Sequence, residues 1–258
     1  LETAYARAVM HAAPRAIRRF GEALLQREFT KGKGTRAEIH GVLGGAAGAQ
    51  GDVTVHMTRL GERIAALQRD AFLSSPLFDF DRLIVVKRAQ GQLGLPQNWQ
   101  GNCALPRTGY DGEIDVLSPI APDGRLTALY RPEEGRFVGD VDLEFDAGKM
   151  LFSMPGSHGR WQIWEIGAEG SGLRQVTRGE EPDVDNYDAC YLPDGRIVYG
   201  STACFHGVPC VGGGNTVANL FIANADGTNA RQICFDQDHD WCPAMMNDGR
   251  LMYSRWEY

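Results

Sequence analysis

The stretch Leu192-Pro-Asp-Gly-Arg-Ile-Val-Tyr-Gly200 reads as a tight turn followed by an apolar strand. Asp folds its side chain onto nearby backbone N–H groups, and Gly accepts a positive φ without a Cβ clash. Ile, Val and Tyr then favour a pleated, half-buried surface. The motif recurs as Phe145-Asp-Ala-Gly-Lys-Met-Leu-Phe-Ser153 and Met246-Asn-Asp-Gly-Arg-Leu-Met-Tyr-Ser254. A second motif alternates with it: Ile114 to Leu129 around Gly124, Ile163 to Val176 around Gly170, and Leu220 to Ile233 around Gly227. Each of these is a strand, a glycine turn and a second strand, which predicts a hairpin.

The spacing of equivalent glycines sets a period of 46–57 residues. One inner strand pair plus one outer hairpin per period makes a four-stranded sheet, the unit of a β-propeller. The expected fold is therefore mainly β, a propeller of four-stranded blades at residues 77–131, 138–178 and 183–234, with a fourth opening at 238. Asp79 to Lys87 fits an inner strand of the first blade. A propeller needs at least four blades to close and protect its edges. Residues 77–258 are thus expected to be a partial propeller that continues beyond the last residue.

Residues 1–76 read instead as a helical N-terminal segment. Val53, Met57, Leu60, Ile64, Leu67 and Ala71 alternate spacings of four and three, a seam on one face of a helix expected over Asp52–Phe72. Asp52 is its expected N-cap, and Ser74-Ser75-Pro76 ends it. An earlier helix is expected over Arg15–Phe29, with a glycine-rich loop from Gly32 to Gly51 between them. The seam suits packing on a neighbouring domain or chain; a coiled coil is the sharper alternative.

The 258 residues are 43% hydrophobic and 23% charged, with six Cys and a net charge of −7. Such acidity argues against general nucleic-acid binding, which rests on neutralising phosphates. The charge is uneven: residues 1–75 carry 11 Lys and Arg against 7 Asp and Glu, and the acidic excess lies in the remainder. No apolar run approaches the ~20 residues of a membrane-spanning helix. Gly-x-Ser-x-Gly, His-Glu-x-x-His and P-loop motifs are absent, and Gly41 to Gly48 lacks the dinucleotide spacing.

Two resemblances follow from these segments. Pro193-Asp-Gly-Arg196 and Ala225-Asp-Gly-Thr-Asn-Ala-Arg-Gln-Ile233 resemble the TolB-type propeller repeat of bacterial extracytoplasmic binding and scaffold proteins. Leu95 to Gly101, Val138 to Asp142, Trp161 to Glu165, Tyr187 to Tyr191 and Asp238 to Pro243 resemble the family that shares the middle domain of the hydrazine synthase alpha subunit. The resemblance implies a periplasmic or extracellular scaffold or binding module, non-catalytic in itself, which meets protein partners or flanking domains. The alternative it implies is part of a c-type-haem oxidoreductase whose haem domains lie outside this chain. Haem attachment needs Cys-x-x-Cys-His, and these residues contain none.

The candidate site residues are acids that open each repeat: Asp140 and Asp142, Asp185 and Asp188, Asp238 and Asp240. In a propeller the first strand of a blade lines the channel, so Asp142, Asp188 and Asp240 could bind a ligand or a cation such as Ca2+ there. The same acids also suit plain turn chemistry. His239 is the candidate acid–base residue, or a hydrogen-bonded residue at the channel rim. His206 beside Cys204 matches no standard zinc spacing. Cys204 and Cys210 bracket a short loop that a disulfide could close in an oxidising compartment. Cys190 and Cys242 read as equivalent buried positions in successive blades, and the five Trp as packing residues.

Overall fold

The computed structural model describes residues 50–75, 80–97, 99–121 and 123–257. The chain divides into two units, residues 1–81 with 120–122, and residues 82–119 with 123–258. In the first, α1 spans Gln50–Leu73. Asp52, the expected N-cap, lies within this helix. Ile64 and Leu67 of the predicted seam are exposed. The helix expected at Arg15–Phe29 lies outside the described residues, as does most of the glycine-rich loop.

The second unit is four antiparallel sheets in chain order. The first holds β1 (Leu83–Lys87), β2 (Glu113–Ser118) and β3 (Arg125–Tyr130), in that spatial order. The second holds β4 (Gly139–Leu143), β5 (Lys149–Pro155), β6 (Trp161–Gly167) and β7 (Arg174–Gln175). The third repeats it with β8 (Asn186–Tyr191), β9 (Ile197–Ser201), β10 (Asn219–Ala223) and β11 (Arg231–Gln232). The fourth holds β12 (Asp240–Met245) and β13 (Leu251–Arg255). The expected four strands per repeat are met in the middle two sheets. Among the described residues the first has three, which pair as the outer three strands of the second sheet do.

Strand alternation explains how the sheets stack. Along β5, Met150, Phe152 and Met154 join Ile114, Val138 and Ile166 in one core, while Leu151 joins Ile163, Ala189, Tyr191, Ile197 and Tyr199 in the next. Along β9, Val198 turns the other way and packs with Cys190, Leu220 and Ile222, against which Leu251 and Tyr253 lie. Strands buried on both faces need apolar residues at odd and even positions, as these have. Each fully buried aliphatic or aromatic side chain contributes roughly 1.5–3 kcal/mol.

The innermost strands share an irregularity. Pairing slips between Gly139 and Asp142 in β4, between Tyr187 and Cys190 in β8, and between Trp241 and Ala244 in β12. These are β-bulges, and their apices take a positive φ: Asp140 52°, Asp188 57° and Cys242 54°. Non-glycine residues held there store strain, which structures tolerate mainly at functional places.

Candidate functional site

The bulges bring Asp140, Asp188 and Cys242 together. Ser153 Oγ accepts from Asp188 N at 2.8 Å and also bonds the Asp140 carboxyl, so one hydroxyl ties two apices. The Cys242 thiol and backbone N–H meet the Asp188 carboxylate. Burial raises the Asp140 carboxyl above the usual range, against hydrogen bonds from Ser153 and Asn102. Burial and the charge of Asp140 push Asp188 up to about 6. Burial and the Asp188 charge push the Cys242 thiol far up, so it stays protonated at neutral pH.

A strap formed by residues 88–112, between β1 and β2, covers this recess. Asn102 Nδ2 donates to Asp140 Oδ2. The Arg88 guanidinium lies 4.4 Å from the Phe137 ring centroid and faces the Asp140 charge. Cys103 Sγ lies 3.9 Å from Tyr187 Oη and donates to Thr216 O at 3.5 Å. Beneath the strap, Phe137 meets Trp161 edge-on at 4.8 Å and Tyr110 at 5.3 Å. Gly101 and Gly139 allow this close approach, since a Cβ at either would collide with Tyr187 Oη or Arg88 Nη2.

The three acids predicted for one ring occupy three different levels. Counting outward from the bulge apices, Asp140, Asp188 and Cys242 are equivalent, whereas Asp142 lies two residues beyond its apex and Asp240 two residues before its own. Asp142 Oδ2 accepts from Tyr191 N at 2.9 Å, pinning the second sheet to the third. Cys190 is thereby equivalent to Asp142 rather than to Cys242, and it is buried while Cys242 is exposed.

Asp240 sits fully covered in the seam between the third and fourth sheets, where its carboxyl meets the Asp236 carboxyl and the Cys234 thiol. The preceding seam differs. There Asn186 Nδ2 donates to Gln162 Oε1 at 3.2 Å, which also accepts from Thr177 Oγ1 at 2.6 Å. The equivalent trio is Asp240, Asn219 and Cys234, in which Asn219 is one methylene shorter than Gln162. Its amide turns to Asp238 O and Gln232 Nε2 instead, so Asp240 lacks the amide partner that Asn186 has. Burial and the neighbouring Asp236 push Asp240 up to about 7.

His239 is placed as a backbone clasp. Its Nδ1 accepts from Ala218 N at 3.0 Å, as Asp185 Oδ1 accepts from Trp161 N at 3.0 Å one sheet earlier. The ring is 1% exposed and burial lowers it to about 4, so it is neutral with the proton on Nε2. Asp185 also pairs with Arg107 of the strap at 3.3 Å and with Arg160 at 3.4 Å. Cys204 and Cys210 are free thiols: Cys204 Sγ turns inward to Val217 O at 3.3 Å, and Cys210 is exposed on a separate turn. Among the described residues, no three His, Cys, Asp or Glu side chains group to hold a metal ion. Sequence reading missed the strap residues Arg88, Asn102 and Arg107. The one signal for them was the non-repeating run between two repeat strands, where a long connection without strands marks a functional loop.

Consecutive antiparallel sheets of up to four strands with a shared inner bulge fit a propeller-type fold, as does a solved structure with a TM-score above 0.5. The chain is similar to Kuenenia stuttgartiensis hydrazine synthase at 15% identity, over 68% of this chain and 28% of that one, with a TM-score of 0.51. It is also similar to TolB from Acinetobacter baumannii (14% identity, 55% and 31% covered, TM-score 0.40). A third neighbour is an oligogalacturonate lyase in complex with manganese (17% identity, 67% and 43% covered, TM-score 0.42). These neighbours are TolB-like β-propeller proteins, and the chain spans less than half the length of each. No family model and no curated protein matches the sequence. Among the described residues no helix is long and apolar enough to cross a membrane.

Proposed function

We propose that the chain is a binding and scaffold module, a run of consecutive β-propeller blades working in an extracytoplasmic compartment and holding a partner rather than performing chemistry itself. The observation that carries this reading is the recess of Asp140 and Asp188 at strained bulge apices beneath the strap. Arg88 already faces Asp140, and a further cationic group, such as the lysine or arginine tip of a partner protein, would restore the ionised form of Asp188. The Cys242 thiol beside them is protonated, and the His239 imidazole elsewhere in the fourth repeat is committed to a backbone N–H.

Calorimetric titration of the full chain with the peptide Gly-Lys-Gly, and separately with CaCl2, tests it. Stoichiometric binding of the peptide that is lost in an Asp140→Asn/Asp188→Asn variant supports the reading. Heat from neither probe, in a protein whose circular dichroism shows the β fold, overturns the recess as the binding place. Binding of Ca2+ alone replaces the partner side chain with a metal ion.

A further inference from the structure

A separate cleft lies between the loop after β9 and the connection from β11 to β12. It has a volume of about 450 Å3 and is lined by Phe205, His206, Gly207, Pro209, Phe235 and Gln237. That volume falls within the ~300–1,000 Å3 of small-ligand sites.

Both walls are built rather than loose. In the first, Ser201 Oγ accepts from Ala203 N at 3.2 Å, and Phe205 N donates to Thr202 O at 2.9 Å. Val208 N then donates to Asn215 O at 2.8 Å, and Val217 N to His206 O at 2.9 Å. In the second, Asp236 is paired with Arg255, and Asp238 O accepts from Asn219 Nδ2 at 3.0 Å. These walls hold two phenyl rings in solvent, Phe205 65% and Phe235 76% exposed. Phe205 is moreover fixed at φ 55°, a left-handed conformation that costs a side-chain-bearing residue stability. A preorganised pair of exposed aromatic rings is a stacking platform.

We propose that this cleft binds a neutral sugar, with the apolar face of a pyranose ring on Phe205 and Phe235. A sugar hydroxyl both donates and accepts, and the Gln237 amide offers both functions, with the His206 ring nitrogens beside it. No Asp, Glu, Lys or Arg lines the cleft, which removes the means to select a charged ligand. An extended peptide would need unpaired backbone to pair with. The first wall instead satisfies its backbone groups internally, and this favours the sugar.

The test is saturation-transfer NMR on the full chain with methyl β-glucopyranoside, cellobiose, maltose and diacetylchitobiose. At least one should receive saturation on its ring C–H protons, and digalacturonate should receive none. Phe205→Ala and Phe235→Ala should each cut the signal at least about fivefold. Phe145→Ala removes a comparably exposed ring elsewhere, 63% exposed, and should leave the signal intact. Because both cleft rings are exposed, the variants keep their core, which circular dichroism checks. The proposal fails if no neutral sugar shows transfer at up to about 20 mM, well above the millimolar Kd of a weak site. It fails equally if the signal survives the double substitution, if digalacturonate matches the neutral sugars, or if a proline-rich peptide binds these rings while sugars do not.

Discussion

Replacing Asp240 with Asn should stabilise the protein, and by an amount that depends on pH. Asp240 is fully covered, meets the Asp236 carboxyl and is pushed up to about 7 by burial and by that neighbour. Its folded pKa therefore exceeds its unfolded value of 3.8. The folded state binds the proton more tightly, so the stability that protonation supports is complete below about pH 4 and is lost as pH rises through 7. The full difference, at about 1.4 kcal/mol per pKa unit, sets an upper bound near 4 kcal/mol. The Arg255 charge opposes this, leaving about 1–2 kcal/mol. Asn keeps the shape of the protonated acid and is already the residue at the equivalent position, Asn186, where it is hydrogen-bonded. The melting temperature of Asp240→Asn should thus exceed that of the wild type by about 2–8 °C at pH 8, for a unit of this size. The gap should shrink toward zero at pH 4. Taking the difference between the two proteins cancels His239, whose lowered pKa of about 4 costs both of them stability as pH falls below its unfolded 6.5. A gap that is absent at pH 8, or that stays constant between pH 4 and 8, would refute the raised carboxyl.

Gly101→Ala drives a Cβ into Tyr187 Oη, so it should lift the strap and cost about 1–3 kcal/mol of overpacking strain. Urea unfolding measures the cost, and new proteolytic cuts within residues 88–112 report the lift. Asp185→Asn weakens charge-assisted bonds from Arg107 and Arg160 and should destabilise by about 1.5–3 kcal/mol in the same assay. Arg131 and Lys87 hold the Glu113 carboxyl at about 2, so its contribution is present above about pH 4.5 and is lost as pH falls toward 2. Acid titration of Glu113→Gln should accordingly show a shallower loss of stability over that window than the wild type. Native thiol labelling at pH 7.5 should modify exposed Cys210 first, whereas Cys190, buried and pushed up to about 12, should react only on unfolding.

The sheets were legible because their signals are local. An Asp-Gly turn and the strand after it are specified within nine residues, and Leu192–Gly200 marks β9 with little help from the rest of the chain. The hairpins at Gly170 and Gly227 are of the same kind, and so is the alternation that sends Leu151 and Phe152 to opposite cores. The strap was not legible. Its residues repeat nothing, and its shape comes from contacts more than 70 positions away, such as Arg107 with Asp185 and Cys103 with Tyr187. No window of sequence contains both partners of such a contact.

The site failed to emerge for a subtler reason, which lies in the bulges. Pairing acids by their spacing within each repeat set Asp188-Ala-Cys190 beside Asp240-Trp-Cys242, and a shared Asp-x-Cys looked like a shared position. Register, however, is set by hydrogen bonding back from the turn. Asp188 and Cys242 each stand seven residues before the turn glycines Gly195 and Gly249. Asp140 stands eight before Gly148, because Ala147 adds one residue to that turn. Of the three apices, counting from the glycines rather than from the acids would have aligned Asp188 with Cys242, leaving Asp140 one residue out of step because of its longer turn. It would also have shown that the third of them is a thiol. Because a slip of one residue in a strand exchanges its two faces, the turn is the dependable origin and the chemically suggestive residue is not. The repeat therefore offers three equivalent places at its centre, and this chain fills them with two carboxyls and a cysteine whose proton is held by its neighbour.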